Sequence, residues 1–210
     1  MKDLSDYRKS YDRDALLETN VPTSPFSLFE NWFQLADAHA NIEEANAMTL
    51  TTVGEDNTPL ARVVLLKKIT QKGFRFFSNY QSQKGRAIAH NPNVCLSFFW
   101  APLERQVIVK GHCEPLNPEE SEAYFKSRPE GSQIGAIVSP QSQVIPNREF
   151  LEDRLSEFDQ INLQKPDYWG GYEVIPSSFE FWQGRQNRLH DRLRYSKSEE
   201  DHWTIERLAP

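Results

Sequence analysis

A chain of 210 residues suits one domain, and at that length it buries roughly 70% of the surface its unfolded form exposes, so it needs no disulfides to fold. A net charge of −6 argues against a general nucleic-acid binder, so any anion site must be a local concentration of Arg and Lys. The opening MKDLSDYRKSYDRD lacks an apolar signal core, no apolar run approaches the roughly 18 residues of a membrane span, and Cys95 and Cys113 read as ordinary buried thiols, which together predict a cytoplasmic protein with no membrane partner.

Residues 1–22 are polar and charged without an apolar face, and are expected to form a mobile N-terminal arm ahead of a single domain over 23–210. Ser24-Pro25 is a helix start, with Phe26, Phe29, Trp32, Phe33 and Ala36 as the apolar stripe. From Ala47 the period changes to strands. AMTLTTV, LARVVLLKKI and GFRFFSN read as an antiparallel meander, the second apolar on both faces as at the heart of a sheet. Ser82 caps a short helix, and NVCLSFFW and ERQVIVKGHCEPL are two further strands. Five strands in about 70 residues, with helices only as inserts, predict a mainly β protein: a closed or nearly closed barrel plus helices, not alternating βαβ units.

Asn117 with Pro118-Glu119-Glu120 starts another helix, which stops at Arg128-Pro129. EGSQIG reads as a glycine-containing connection. Asn147 caps a helix with Phe150, Leu151, Leu155 and Phe158 inward. The strands YWGGYEVIP, SFEFWQ, RLHDRLRYS and HWTIERL close the chain. In the third of these, Arg188, His190 and Arg192 are spaced by two and so share one face of a strand, with Leu189, Asp191 and Leu193 opposite. That spacing suits an anion gripped between them, and equally a solvated face neutralised by Asp191 and Glu180.

No zinc spacing, GxSxG elbow, Walker loop or helix-opening GxGxxG is present, so metal, nucleophile-elbow and Rossmann chemistries have no sequence support. What remains is a set of cations at strand ends and helix starts. Arg62 and Lys67 flank the most apolar strand, Lys84 lies in the first turn of the Ser82-capped helix, Arg105 and Gln106 open a strand, and Arg128 closes a helix. Each alone is as easily structural. Their joint placement around one barrel suits a phosphorylated ligand.

EFWQGRQNRLHDR, LERQVIVKG, RVVLLK and SRPEGSQIGAIVSPQS, in that family's order and over nearly the whole chain, resemble the pyridoxine (pyridoxamine) 5′-phosphate oxidases. The resemblance implies an FMN-binding split barrel, a homodimer with FMN at the subunit interface, and oxidation of pyridoxine or pyridoxamine 5′-phosphate to pyridoxal 5′-phosphate. The reaction it implies is hydride transfer from C4′ to flavin N5, with O2 as acceptor and hydrogen peroxide as product. Matching motif to motif, it assigns to FMN Arg62, Val63, Val64, Leu65, Leu66, Lys67, Phe77, Ser78, Lys84, Gln106, Gln141, Ser142, Trp182 and Arg192. It assigns the substrate phosphate to Tyr124, Arg128 and Ser132, with Lys67 also in reach. Arg188 and His190, with Leu189 between them, would lie against the pyridine ring as the catalytic pair, and Arg8 and Tyr11 would belong to an arm covering the site. An ordinary pKa near 6.5 permits His190 a base role.

Three positions depart from the family pattern: Gln83 stands where an Arg is usual and removes a cation from the FMN phosphate, Ile137 replaces a Trp, and the arm reads RKSY without an acidic residue before the Tyr. A regular strand would also set Arg62 and Lys67 on opposite faces, so a bulge or a strand end must intervene if both reach FMN. The competing readings are an FMN-dependent oxidase of phenazine precursors, a non-catalytic flavin or pyridoxal-phosphate carrier, and a barrel stacking single-stranded nucleic acid on its aromatics.

Overall fold

The structure, a computed structural model of the chain, describes residues 2–7, 9–159 and 163–210. In chain order its elements are α1 (Pro25–Asp37), β1 (Ala47–Val53), β2 (Pro59–Leu65), β3 (Lys68–Ile69), β4 (Phe74–Asn79), α2 (Gln83–His90), β5 (Asn93–Trp100), β6 (Arg105–Pro115), α3 (Pro118–Ser127), α4 (Glu130–Val138), α5 (Glu149–Ser156), β7 (Trp169–Gln183), β8 (Asp191–Lys197) and β9 (Trp203–Arg207). The strands hydrogen-bond in the order β2-β1-β5-β6-β7-β4-β3, with β8 on β7 and β9 on β8. The expectation of a mainly β protein with helical inserts is met. No helix among the described residues is long and apolar enough to cross a membrane.

The chain divides into two compact units. One comprises Met1–Thr49, Cys95–Gly111 and Pro176–Pro210, the other Leu50–Val94 and His112–Ile175. The first is built on aromatic packing. Phe29 and Trp32 of α1 meet Phe98 and Phe181 edge-on at 4.9 and 5.3 Å between ring centres, a geometry that adds roughly 0.5–1.5 kcal/mol per pair beyond area burial. Here β7 and β8 pair antiparallel, Phe181 opposite Leu193 and Trp182 opposite Arg192, and β8 and β9 continue the ladder. In the second unit β4 pairs antiparallel with β7, Phe77 opposite Gly171.

Local chemistry explains most element boundaries. Ser82 and Asn117 cap α2 and α3, each side chain accepting the amide three residues on (Gly85 N–H at 3.3 Å, Glu120 N–H at 2.7 Å). Gly85 is required where α2 starts: a Cβ there would stand 2.2 Å from the Tyr80 carbonyl oxygen. Ser24 precedes α1 as expected, but its hydroxyl makes no cap hydrogen bond.

Several expectations are corrected. LARVVLLKKI is not one central strand: it breaks at Leu66-Lys67 into β2 and β3, and β2 ends the strand order with Leu60 and Val63 exposed. EGSQIG is not a connection but part of α4, whose Gln133, Ile134 and Val138 are buried. That burial outweighs the roughly 1 kcal/mol each that Gly131 and Gly135 cost a helix. No residue of α5 is buried, and Leu155 is exposed, so the inward stripe expected there is absent. YWGGYEVIP and SFEFWQ form one strand, β7, running through Pro176. Residues 186–188 form a 3-10 turn, so Arg188 and His190 precede β8 and do not share a strand face with Arg192.

Candidate functional site

The residues assigned above fall into two sets, one in each unit.

In the second unit a cavity of about 620 Å³ is lined by Val63, Val64, Leu65, Lys67, Phe77, Ser78, Lys84, Tyr124, Arg128, Ser132, Gln141 and Trp169, among others. The apolar run of β2 is thereby explained: its backbone passes along a cavity. Among the described residues three cations and no carboxylate line the cavity, although the chain carries 30 acidic residues against 24 basic ones. Lys67 sits in the break after β2, its amide donating to the Arg75 carbonyl at 2.8 Å. A strand end, not a bulge, therefore frees it from strand alternation relative to Arg62.

Lys84 is held at the start of α2, donating to Ser82 Oγ at 3.2 Å and Gln141 Oε1 at 3.1 Å. Burial, with the charge of Arg62 second, pushes its pKa down to about 8. Among the described residues no anionic group offsets this shift, so an anion bound beside Lys84 would favour its charged form. Arg128 follows α3. Its carbonyl is gripped by the buried Gln133 amide at 2.8 Å, and its guanidinium lies over the Trp169 ring at 4.7 Å. Burial lowers its pKa, opposed by Tyr124, and its Nη1 is buried without a hydrogen-bond partner. An unpaired buried donor of this kind costs about 1–3 kcal/mol, so its retention points to a ligand acceptor. Tyr124 stacks on Phe77 at 3.7 Å and 17°, and Trp169 lies parallel to both, which gives the cavity a flat aromatic wall.

Arg62 does not line this cavity. It lines a second one, of about 370 Å³, with Thr52, Glu55, Asp56, Gln83 and Arg86. Its Nη1 donates to Leu50 O and Thr52 Oγ1 at 3.1 and 2.8 Å, while Nη2 is buried without a partner. Leu66 is buried in the core, and Ser142 is exposed beside Gln141 with a φ of 71°.

The first unit carries the other set. His190 packs against Trp182 at 4.7 Å and Tyr11 at 5.8 Å, and Tyr11 meets Trp182 edge-on at 5.7 Å. Gly184 is needed for this approach, since a Cβ there would stand 2.7 Å from Tyr11 Cγ. Arg188 and Leu189 are exposed on the loop, and Asn187 and Arg188 take φ of 58° and 61°. A non-glycine residue held there costs on the order of 1–3 kcal/mol. The pKa of His190 is lowered, first by burial and then by Arg188. Arg192 pairs with Glu180 at 2.8 Å and donates to the Ala209 carbonyl. Gln106 donates to Ser97 Oγ at 3.1 Å. Arg8 lies outside the described residues.

Three contributors were missed in the sequence. Trp169 supports Arg128, and its signal was the WGG run that lets β7 approach its neighbours. Glu104 sits inside the LERQ motif, buried and with a φ of 56°. Its carboxylate accepts the amides of Asp12 and Arg13 at 3.1 and 3.2 Å and pairs with Lys9. Arg185 sits inside QGRQNRLH, and its amide donates to His190 Nδ1.

Comparison with known proteins decides the family. Residues 35–162 match the family model described as pyridoxamine 5′-phosphate oxidase. Residues 169–210 match the model described as pyridoxine 5′-phosphate oxidase C-terminal dimerisation region. The chain belongs to the pyridoxine/pyridoxamine 5′-phosphate oxidase family. Relatives with that name share 55% identity in Flavobacterium psychrophilum, covering 100% of both chains, and 49% in Trichormus variabilis, covering 99% of this chain and 98% of the relative. Among solved structures, PhzG from Burkholderia lata 383, in complex with tetrahydrophenazine-1-carboxylic acid, superposes with a TM-score of 0.85 at 27% identity, covering 94% of this chain and 98% of that one. A pyridoxamine 5′-phosphate oxidase-related FMN-binding protein of Nostoc punctiforme superposes at 0.75 and 12% identity, over 90% and 100% of the two chains, and shares the fold. The fold of this family member is therefore the split barrel expected from its motifs.

Proposed function

We propose that this member of the family is an FMN-dependent oxidase that converts pyridoxine or pyridoxamine 5′-phosphate to pyridoxal 5′-phosphate, with O2 as electron acceptor and hydrogen peroxide as product. The observation that carries the reading is the acid-free cavity with three cations, where Arg128 keeps a buried donor without a partner.

The residues present fit FMN. Arg62 and Lys84 supply cations for its phosphate, with a buried Nη2 of Arg62 awaiting an acceptor. The β2 segment Val63 to Leu65, the Lys67 break, Phe77, Ser78 and Gln141 supply a mixed apolar and polar wall for the flavin. Leu66 and Ser142 belong to the same segments. Gln106, Trp182 and Arg192 are the family's flavin positions in the first unit. The match of residues 169–210 to a dimerisation region supports a homodimer, and FMN is assigned to its subunit interface on the family pattern alone. FMN, when bound, supplies the redox chemistry, taking two electrons from C4′ of the substrate and passing them to O2.

The chain's own residues bind and orient. Tyr124, Arg128 and Ser132 hold the substrate phosphate, the handle that fixes where the ring lies, and Lys67 reaches the same ligand. Orientation of this kind accounts for much of the rate of an oriented reaction. Arg188 and His190, with Leu189 between them, hold the ring and steady charge as the C4′ hydroxyl or amine loses its proton. Tyr11 belongs to the arm that the family pattern assigns to the site; Arg8, of the same motif, lies outside the described residues.

The phenazine-precursor reading has support in the superposition with PhzG, but the Tyr124, Arg128 and Ser132 set suits a phosphorylated ligand and the full-length relatives at 49–55% identity carry the oxidase name. The test is to supply FMN and pyridoxine 5′-phosphate in air and follow pyridoxal 5′-phosphate and peroxide. Matched formation of both is expected. A yellow protein without product would overturn the substrate assignment.

A further inference from the structure

We infer that His190 is locked as the Nε2–H tautomer by the backbone amide of Arg185 and serves as a hydrogen-bond donor to the substrate, not as the base. The donor role rests on the oxidase reading above; the tautomer does not.

The Arg185 N–H donates to His190 Nδ1 at 3.0 Å. A backbone amide can only donate, so Nδ1 must present its lone pair. A neutral imidazole has one proton, which is then on Nε2. Protonating the ring would set a second N–H against the amide.

The loop is held so that this bond persists. Gly184 N–H donates to the Glu104 carbonyl at 2.8 Å. The buried Gln183 donates to the same carbonyl at 3.3 Å and accepts from Arg105 Nε at 2.8 Å. Beyond Arg185 the chain reverses through Asn187 and Arg188, and the Leu189 amide returns to the Gln186 carbonyl at 3.1 Å. Trp182 and Tyr11 flank the ring. Among the described residues Nε2 makes no hydrogen bond, and it is the one polar atom of the ring left for a ligand.

The charged neighbours agree. Arg188 opposes protonation of His190. The Arg185 guanidinium is turned to Asp191 at 3.6 Å and the Asp14 carbonyl at 3.0 Å, and Lys9 is paired with Glu104 at 3.3 Å. Among the described residues no carboxylate is paired with the imidazole to draw a second proton onto it. A ring whose only lone pair is occupied by an amide cannot take the substrate's proton, whereas its Nε2–H can stabilise an oxygen that gains negative charge.

The test uses the full-length FMN-loaded protein labelled with 15N-histidine. Long-range 1H–15N spectra are recorded above the ordinary histidine pKa of about 6.5, with His190 assigned by its loss in His190→Gln. A pyridine-like Nδ1 and a protonated Nε2 are expected. An Nδ1–H tautomer, or an imidazolium, overturns the inference. Turnover is the second readout. Gln keeps a donor but cannot act as a base, and removing a true general base costs roughly 10²–10⁴-fold. His190→Gln is expected to lose less than about tenfold in kcat, and His190→Ala about ten- to a hundredfold. Equal losses of more than about a hundredfold in both, with disappearance of a limb in the wild-type pH profile, would make His190 the base. A wild-type protein that does not oxidise pyridoxine 5′-phosphate would overturn the oxidase reading and the donor role, and the spectrum would still decide the tautomer.

Discussion

At the scale of single residues, the site's chemistry is one of uncompensated cations. Arg128 is fixed at both ends, its carbonyl by Gln133 and its guanidinium by the Trp169 face, yet Nη1 has no acceptor. A hydrogen bond to a charged group contributes roughly 1.5–3 kcal/mol, so Arg128→Ala should raise KM for the phosphorylated substrate by about ten- to a hundredfold and leave kcat much less affected. Steady-state kinetics with pyridoxine 5′-phosphate measures this, and an unchanged KM would remove Arg128 from the phosphate site. Lys84 adds a pH dependence. With its pKa held down to about 8 by burial and then by Arg62, it is charged below that pH and loses its charge above it. An anion binding beside it favours the charged form, so binding takes up a proton at higher pH. The dissociation constant of FMN is therefore expected to rise as pH climbs through 8, and to lose that dependence in Lys84→Met. Titrations of the stripped protein across that range would show it, and a flat profile in the wild type would contradict it.

At the scale of elements, what was legible was what neighbouring residues decide. The starts of α2 and α3 could be read because Ser82 and Asn117 sit three residues before the amides they accept. The loop after β7 could not be read. Arg188, His190 and Arg192 alternate as in a strand, but Gly184, the Gln183 network and a positive φ at two residues turn the chain instead. Those causes are contacts to Glu104 and Tyr11, remote in sequence. Glu104 also anchors the arm: its buried carboxylate accepts two arm amides, and Asp14 pairs with Arg105 at 2.7 Å. Glu104→Ala should release residues 9–14, leaving β7 and β8 folded. Limited proteolysis should then cut the arm at least tenfold faster, since local opening is set by such contacts. Equal cleavage rates in variant and wild type would assign the arm's position to other contacts.

At the scale of the molecule, the candidate site was legible as a set of residue types and not as a geometry. The cations at helix and strand ends could be picked out, and the motifs ordered them. That Arg62 faces a different cavity from Lys67 could not be foreseen, because it depends on where β2 stops. The whole protein carries the consequence of gathering Lys84 and Arg128 in a cavity that no carboxylate among the described residues lines. Removing the cofactor phosphate leaves cations buried and partly unpartnered, and a ligand that binds only the folded state stabilises it by RT ln(1 + [L]/Kd). At a hundredfold excess over Kd that is about 2.7 kcal/mol, or roughly 5–10 °C in melting temperature for a chain of this size. FMN added to the stripped protein should raise the melting temperature by that order. Riboflavin, which has the same ring system and no phosphate, should raise it far less at equal concentration, and inorganic phosphate should recover part of the difference. Melting curves with the three additions separate the phosphate's contribution from that of the ring. If riboflavin stabilised as well as FMN, the cations would not be holding the phosphate, and the reading of Arg62 and Lys84 would fail while the aromatic wall of Phe77, Tyr124 and Trp169 stood as the ring's binding surface.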